Sequence, residues 1–232
     1  MSHISIKLDN DRIWKKSIFP AISSETFFDI EPAQVIRKSH YFLSGHRINA
    51  TTVEAILQNA LRSKVIALNF ANAIVPGGGY TVGGNAQEES LCRSSLLYYS
   101  IRTQKKFYRR NLMTLSPCYT DALIYSRNIP VIRDHNGIFL LSPIFSDFIT
   151  CPAVNRRYAK LLHPDTEIDA IMARRIHKIV SFARLKSPDV LILGAFGCGA
   201  FGNKRETVLR LFEESINKYM DDKVEVLFAI PE

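Results

Sequence analysis

The chain is short of acidic residues, tryptophan and long apolar runs. Its 232 residues carry 22 Asp and Glu against 30 Lys and Arg, with one Trp. No apolar stretch approaches the about 18 residues that a membrane-spanning helix needs. The N-terminus, MSHISIKLDNDRIW, lacks the basic-then-apolar pattern of a secretory leader. There are four cysteines, Cys92, Cys118, Cys151 and Cys198. No two of them have C-x-x-C spacing, and no Cys–His cluster has zinc spacing. The six His make no H-E-x-x-H pattern and no Ser/His/Asp set. Repeats, low-complexity tracts and long Pro/Gly/Ser linkers are also missing. Together these absences argue against a membrane protein, a disulfide scaffold, a zinc module and a repeat array. What remains is a cytoplasmic protein with thiols in a reducing compartment. A secreted effector with a non-standard signal would look the same. One domain over residues 1–232 is expected, with residues 1–25 an N-terminal extension packing on the core.

Hydrophobic content of 47% and charged content of 22% are those of an ordinary globular chain with a sizeable core. The formal charge is +8 and the pI is near 9.4. A basic surface concentrates polyanions around a protein, although a solvated basic face gives the same numbers.

Hydrophobic periodicity sets out alternating strands and helices. Residues 1–25 are mixed and contain Pro20 and a Ser-Ser pair. Thr26–Ile30 is a short strand candidate. Thr51–Arg62 has a helix-entry pattern, with Thr-Thr followed by Glu54. Val65–Phe70 is a buried strand, and Glu88–Thr103 a helix beginning at two carboxylates. Ala122–Tyr125 and Val131–Arg133 are short apolar pieces, with a turn signal at Asp134–Gly137. Ser146–Cys151 is a strand and Glu167–Leu185 a long amphipathic helix. Asp189–Leu193 is a second buried strand, followed by a helix over about 206–219 and a last strand, Val224–Ile230. Continuous apolar strands alternating with helices predict a three-layer α/β domain.

The richest stretch is residues 76–90, PGGGYTVGGNAQEES. Gly77, Gly78 and Gly79 follow the buried strand, and Gln87-Glu88-Glu89 comes seven residues later. Glycine permits positive φ and bares the amide N–H groups, and a nest of such groups favours anions. A phosphate-accepting loop beside a carboxylate pair points to acid/base chemistry on a nucleotide-like substrate. The second buried strand also runs into a glycine loop, GAFGCGAFGN at 194–203. Gly197–Gly202 fits G-x-G-x-x-G, the dinucleotide fingerprint. A Rossmann domain carries that motif near its start and follows it with several strands. Here only about 30 residues remain. Glycines placed for close strand–helix packing are the other structural reading.

Taken together, the two loops resemble the macrodomain superfamily, specifically its bacterial-type poly(ADP-ribose) glycohydrolase family. The family signature is a glycine triplet, six to eight residues, then Gln-Glu-Glu. Residues 68–76 (LNFANAIVP), 146–153 (SDFITCPA) and Val154-Asn155 also resemble segments of that branch. The resemblance covers roughly residues 26–230. It implies a three-layer α-β-α macrodomain with a mixed, mostly parallel central sheet. It makes Glu89 the catalytic acid/base and sets Glu88 on the ribose hydroxyls. It has Gly77, Gly78 and Gly79, with Gly197, Cys198 and Gly199, lining the diphosphate. Asn72 matches an asparagine that contacts the ribose beside the scissile bond. Phe201 holds the aromatic position that packs on that ribose. Gln87 and Ala200 complete the substrate-binding set, Ala200 standing where many relatives are expected to carry valine. No cofactor and no metal is implied, since the ligand pattern of the magnesium-dependent branch is not evident here. The implied partners are poly(ADP-ribose) or ADP-ribosylated proteins, with ADP-ribose as product. Neither a membrane nor direct nucleic-acid binding is expected.

The chemistry stands beside the resemblance. Cleaving a ribose–ribose O-glycosidic bond passes through an oxocarbenium-like state. One carboxylic acid can protonate the leaving hydroxyl and then activate a water. Repulsion between adjacent Glu side chains and partial burial both raise one pKa. Rival readings are a mono-ADP-ribosyl-protein hydrolase and a non-catalytic ADP-ribose-binding macrodomain. Arg93 is either a phosphate contact or the partner of a Glu on its own helix. His177 is a surface or packing residue, and the Tyr98-Tyr99 pair is core rather than a base platform. Cys198 has no basic neighbour and is not a nucleophile. Lys105-Lys106-Phe107-Tyr108-Arg109-Arg110 interleaves charge with aromatics, as in polyanion binders, or is a solvated helix end.

Overall fold

The structure is a computed structural model that describes residues 2–16, 22–31, 35 and 46–232. Pro20 lies outside the described residues. The element order begins with helix α1 (His3–Lys16), strands β1 (Ser23–Phe27) and β2 (Arg47–Ile48), helix α2 (Thr52–Asn59) and strand β3 (Val65–Phe70). After a 3-10 turn at Tyr80–Val82 come α3 (Gln87–Ser94), α4 (Leu97–Ile101) and α5 (Lys105–Met113). The hairpin of β4 (Leu123–Arg133) and β5 (Phe139–Cys151) follows. The chain closes with α6 (Arg156–Ala159), α7 (Asp165–Leu185), β6 (Val190–Leu193), α8 (Arg205–Tyr219) and β7 (Glu225–Ala229).

The seven strands form one sheet in the order β1-β4-β5-β3-β6-β7-β2. The β1–β4 and β4–β5 pairs are antiparallel, and the other four are parallel. The sheet is therefore mixed and mostly parallel, as the sequence resemblance implied. Side-chain alternation along the strands sends one set of residues to each face. Ile66, Leu68, Leu191, Leu193, Val226 and Phe228 pack with the apolar stripes of α7 and α8. Val65, Ala67, Val190, Ile192, Leu227 and Ala229 pack with α2, α3, α4 and α5 on the other face. Strands buried on both faces are apolar at nearly every position, which is why β6 reads as an unbroken run and β3 as one interrupted by Asn69 alone. The result is three layers, α-β-α.

Several expected boundaries move, each for a local reason. The helix expected from Glu88 to Thr103 breaks at Ser95, whose backbone is extended (φ −140°, ψ 176°) and bridges Val131 on β4. The apolar pieces around Ser126–Pro130 are one strand. The register shifts between Ser126 and Ile129, and Asn128 takes a positive φ of 55°. Pro130 still contributes its carbonyl, which accepts from Leu96 N at 3.0 Å. Strand β1 starts three residues before the expected Thr26 and ends at Phe27. Helix α1 has no counterpart in the periodicity, because only Ile6 and Asn10 of its residues are buried. Its apolar contacts are Ile6, Ile13 and Trp14, whose ring stacks on Tyr99 at 5.0 Å, and polar bonds anchor it besides. Asn10 Nδ2 donates to Arg93 O at 3.0 Å and to Cys92 O and Tyr80 Oη at 3.3 Å. The fully buried Arg133 donates to Asn10 Oδ1 at 3.3 Å.

Candidate active site

The parallel strands β3, β5 and β6 end side by side, and the loops that follow β3 and β6 face each other there. This carboxyl edge is where open α/β sheets bind ligands. Between Phe70 and α3 the chain turns through the glycine triplet, and the N-terminus of α3 delivers Gln87, Glu88 and Glu89 back to the strand end.

The triplet does not bare its amides to the cleft. Gly78 N donates to Val75 O at 3.0 Å, and Gly79 N to Glu89 Oε1 at 2.7 Å. The Gly77 amide is turned to the Glu88 carboxyl. The Gly77 and Gly79 N–H groups hold the carboxyls and that of Gly78 closes the turn, whereas the sequence reading has them cradle a phosphate. The need for glycine is sharpest at Gly78, with φ of +55°. A Cβ there would collide with Glu89 Oε1 and stand 3.2 Å from Glu88 Oε2. The second oxygen of Glu89 accepts Ala86 N at 2.9 Å, so that Glu89 also caps its own helix.

Glu88 is 3% exposed. Its Oε2 accepts Asn72 N at 2.7 Å and its Oε1 accepts Asn69 Nδ2 at 3.2 Å. Burial pushes its pKa up to about 8, beyond what these hydrogen bonds restore, with the Glu89 charge a smaller push in the same direction. The sequence argument raised one carboxyl of the pair to keep a proton at hand for the acid; the carboxyl that burial raises is Glu88, the neighbour of the residue assigned as the acid.

The second loop has the opposite character. Cys198 N, Gly202 N and Asn203 N are bonded within the loop, to Ala195 O, Gly199 O and Gly197 O. Among the described residues nothing accepts from the amides of Gly197, Gly199, Ala200 or Phe201. Four donors without internal acceptors make an anion-accepting nest. The loop is braced from below by Asn203, whose Nδ2 donates to Val154 O at 2.8 Å. Nest and carboxyl pair line one cavity of ≈ 260 Å³, with Asn72 and Phe201 in its wall. A larger cavity of ≈ 490 Å³ adjoins it across Phe70, Ala86, Gln87 and Ala195. It extends to His3 on α1, Thr51 before α2 and Arg205 on α8.

The remaining residues singled out in the sequence fall as follows. Asn72 uses Oδ1 to accept Ile74 N and Val75 N, each at 2.9 Å, and so shapes the turn that carries its own amide to Glu88. Gln87 ties β3 to α2, accepting Phe70 N at 2.9 Å and donating to Leu68 O at 2.8 Å. Arg93 neither faces the nest nor pairs with a Glu; it holds Gly84 O and Asn85 Oδ1. Burial raises the Cys198 thiol to about 11, which disfavours the thiolate a nucleophile needs. His177 packs edge-on against Tyr219. In the basic cluster, Phe107 and Tyr108 are buried, so residues 105–110 present only their charged side chains to solvent. Three site residues escaped the sequence reading: Asn69, Thr150 and Thr51. A polar residue inside an apolar strand is the signal that points to Asn69 and Thr150; the two bond each other at 3.2 Å behind Glu88. Among the described residues no group of three His, Cys, Asp or Glu could hold a metal ion.

A three-layer α/β sandwich with a carboxyl pair and an N–H nest at its strand ends is macrodomain-like in class. A family model described as microbial-type PARG, catalytic domain, matches residues 13–134. The solved poly(ADP-ribose) glycohydrolase of Thermomonospora curvata is 28% identical, with a TM-score of 0.83, over 98% of this chain and 92% of that one. The same enzyme bound to the inhibitor ADP-HPD gives 28% and 0.82 over 99% and 92%. A T267R variant of the Deinococcus radiodurans enzyme, in complex with ADP-ribose, is 34% identical with a TM-score of 0.76, covering 81% of this chain and 77% of that one. No curated protein sequence matches. The chain belongs to the microbial-type poly(ADP-ribose) glycohydrolase family. No helix among the described residues is long and apolar enough to cross a membrane.

Proposed function

We propose that the chain hydrolyses the ribose–ribose O-glycosidic bond of poly(ADP-ribose) and releases ADP-ribose, with Glu89 as general acid/base. One observation carries the reading. Glu88 and Glu89 line the same cavity as Gly197, Gly199, Ala200 and Phe201, whose amides lack internal acceptors. ADP-ribose and ADP-HPD, bound by the solved relatives, offer a diphosphate next to a ribose-like ring. In this site the diphosphate lies on the nest, the adjoining ribose between Asn72 and Phe201, and the adenosine end in the larger cavity.

The ribose hydroxyls rest on Glu88, which burial keeps largely neutral at pH 7. A neutral Glu88 spares the pair two adjacent negative charges when Glu89 gives up its proton. Glu89 protonates the leaving hydroxyl oxygen while the bond from the anomeric carbon breaks. The bound diphosphate and the Glu89 carboxylate left behind stabilise the oxocarbenium-like carbon. A water then adds to that carbon and returns its proton to Glu89, restoring the acid. Glu89's two backbone donors keep the carboxyl aimed through both steps.

The test is ADP-ribose release from automodified, chain-bearing protein, with wild type beside Glu89→Gln. Release by wild type and a fall of about 10³-fold in the variant are expected, with ADP-ribose binding retained. Undiminished turnover in Glu89→Gln would refute the assigned role. Binding without release by wild type would point to a reader or to a mono-ADP-ribosyl hydrolase.

A further inference from the structure

The smaller cavity has two ends. One is the wall shared with the larger cavity, formed by Phe70, Ala86, Gln87 and Ala195. The other is the outer edge of the second loop, where Gly199 and Ala200 are exposed and Phe201 is half-buried. A polymer with its terminal unit in the two cavities must continue past this outer edge. The elements there are the Tyr119 loop and α6. The Tyr119 ring lies 6.1 Å from that of Phe201. Arg157 donates its backbone N–H to Phe201 O at 3.2 Å.

Two adjacent arginines on α6 have opposite fates. Arg156 is buried and bridges Asp165 and Asp169. Arg157 is exposed and has no carboxylate partner among the described residues, as is also true of Lys160. The Arg157 stem is nonetheless placed. A Cβ on Gly202, where φ is +71°, would stand 3.0 Å from Arg157 Cγ and 3.4 Å from its Nε. The side chain occupies the room that this glycine leaves, which sets the guanidinium against the rim of the loop. Next to it Tyr158 is 63% exposed. A cation held at a cavity mouth beside an exposed aromatic ring suits a diphosphate followed by a purine.

We propose that Arg157, Tyr158 and Lys160 form a subsite for the ADP-ribose unit on the leaving side of the scissile bond, the unit that stays on the chain. The inference rests on the glycohydrolase reading above. It assigns recognition of the polymer to α6, which is bonded to the second loop through Arg157 N and Phe201 O, rather than to the basic face of α5.

The experiment compares wild type with the double variants Arg157→Glu/Lys160→Glu and Lys105→Glu/Lys106→Glu, which change the net charge equally. Release of ADP-ribose from chain-bearing protein is followed at several salt concentrations, and binding of ADP-ribose itself is measured by calorimetry. The α6 variant is expected to raise KM by about fivefold, to flatten the salt dependence of kcat/KM, and to leave kcat and ADP-ribose affinity near wild type. The α5 variant is expected to change KM far less. An unchanged KM in the α6 variant, equal effects of the two variants, or an equal loss of ADP-ribose affinity would each overturn the subsite. Wild type that binds ADP-ribose but releases none would instead overturn the glycohydrolase reading, and the subsite with it.

Discussion

Gly78 and Glu89 are packed so closely that a methyl group does not fit between them. The glycine's missing side chain is the space that the Glu89 carboxyl occupies. Gly78→Ala adds a Cβ at a positive φ of 55° and pushes Oε1 off the Gly79 amide. Displacing a reacting group by about 1 Å can cost about 10²-fold in rate. We expect at least that loss in kcat, with a well-folded protein by circular dichroism. Wild-type kcat in Gly78→Ala would show that the carboxyl position is not critical.

The buried Glu88 makes stability depend on pH in a definite direction. Its carboxyl titrates at 4.5 in the ordinary case and near 8 when folded, so the folded state holds a proton that the unfolded state has lost between these values. Stability therefore falls as pH rises from 4.5 through about 8, and levels off above. Glu88→Gln removes the titration. Thermal melts of both proteins from pH 5 to 9 should show wild type losing Tm across that window relative to the variant. Parallel curves would contradict a raised Glu88.

The two glycines of the nest should separate binding from folding. A Cβ at Gly199 meets nothing within 4 Å, whereas one at Gly197 would collide with Ala153 Cβ and stand 2.7 Å from Asn203 Nδ2. Gly199→Ala should keep the wild-type Tm and weaken ADP-ribose binding, because its methyl enters the space over the free amides. Gly197→Ala should lower Tm by several degrees, as strained or overpacked substitutions of about 1–3 kcal/mol do. Calorimetric titration and melting of both variants check the split; a Gly199→Ala protein with full affinity would move the diphosphate elsewhere.

Helix α1 is expected to be a structural part of the site rather than a loose leader. Asn10→Ala removes the donors to Arg93 O, Cys92 O and Tyr80 Oη and strands the Nε of buried Arg133. Losing such a buried network costs about 2–3 kcal/mol. Denaturant unfolding of the variant measures it, and a loss below about 0.5 kcal/mol would mean that α1 docks by other contacts.

The core of the fold was readable where burial dictates composition. Strands β3 and β6 and helix α7 bury mostly apolar side chains, and their spacing shows it. Helix α1 was invisible because its few apolar contacts, Ile6, Ile13 and Trp14, share the docking with Asn10, and so small a set leaves no clear hydrophobic period. The break at Ser95 was hidden for a related reason: it is made by a bridge to Val131, 36 residues further along the chain. At the site, the residue types were legible and their duties were not. Composition marks Gly77–Gly79 as amide donors and cannot tell that their acceptors are Glu88, Val75 and Glu89 rather than a phosphate. Nor could it tell which of two adjacent glutamates is the deeper, since a helix N-terminus sends neighbouring side chains in different directions.

Both glutamates are held mainly by peptide amides, those of Gly77, Gly79, Ala86 and Asn72. A peptide amide belongs to the path of the chain and not to any one side chain. Thr81, Val82 and Ala86, all exposed, can therefore drift in sequence without loosening the carboxyls, provided the loop keeps its course. Such a site can change what it meets at its rim while its chemistry stays constant.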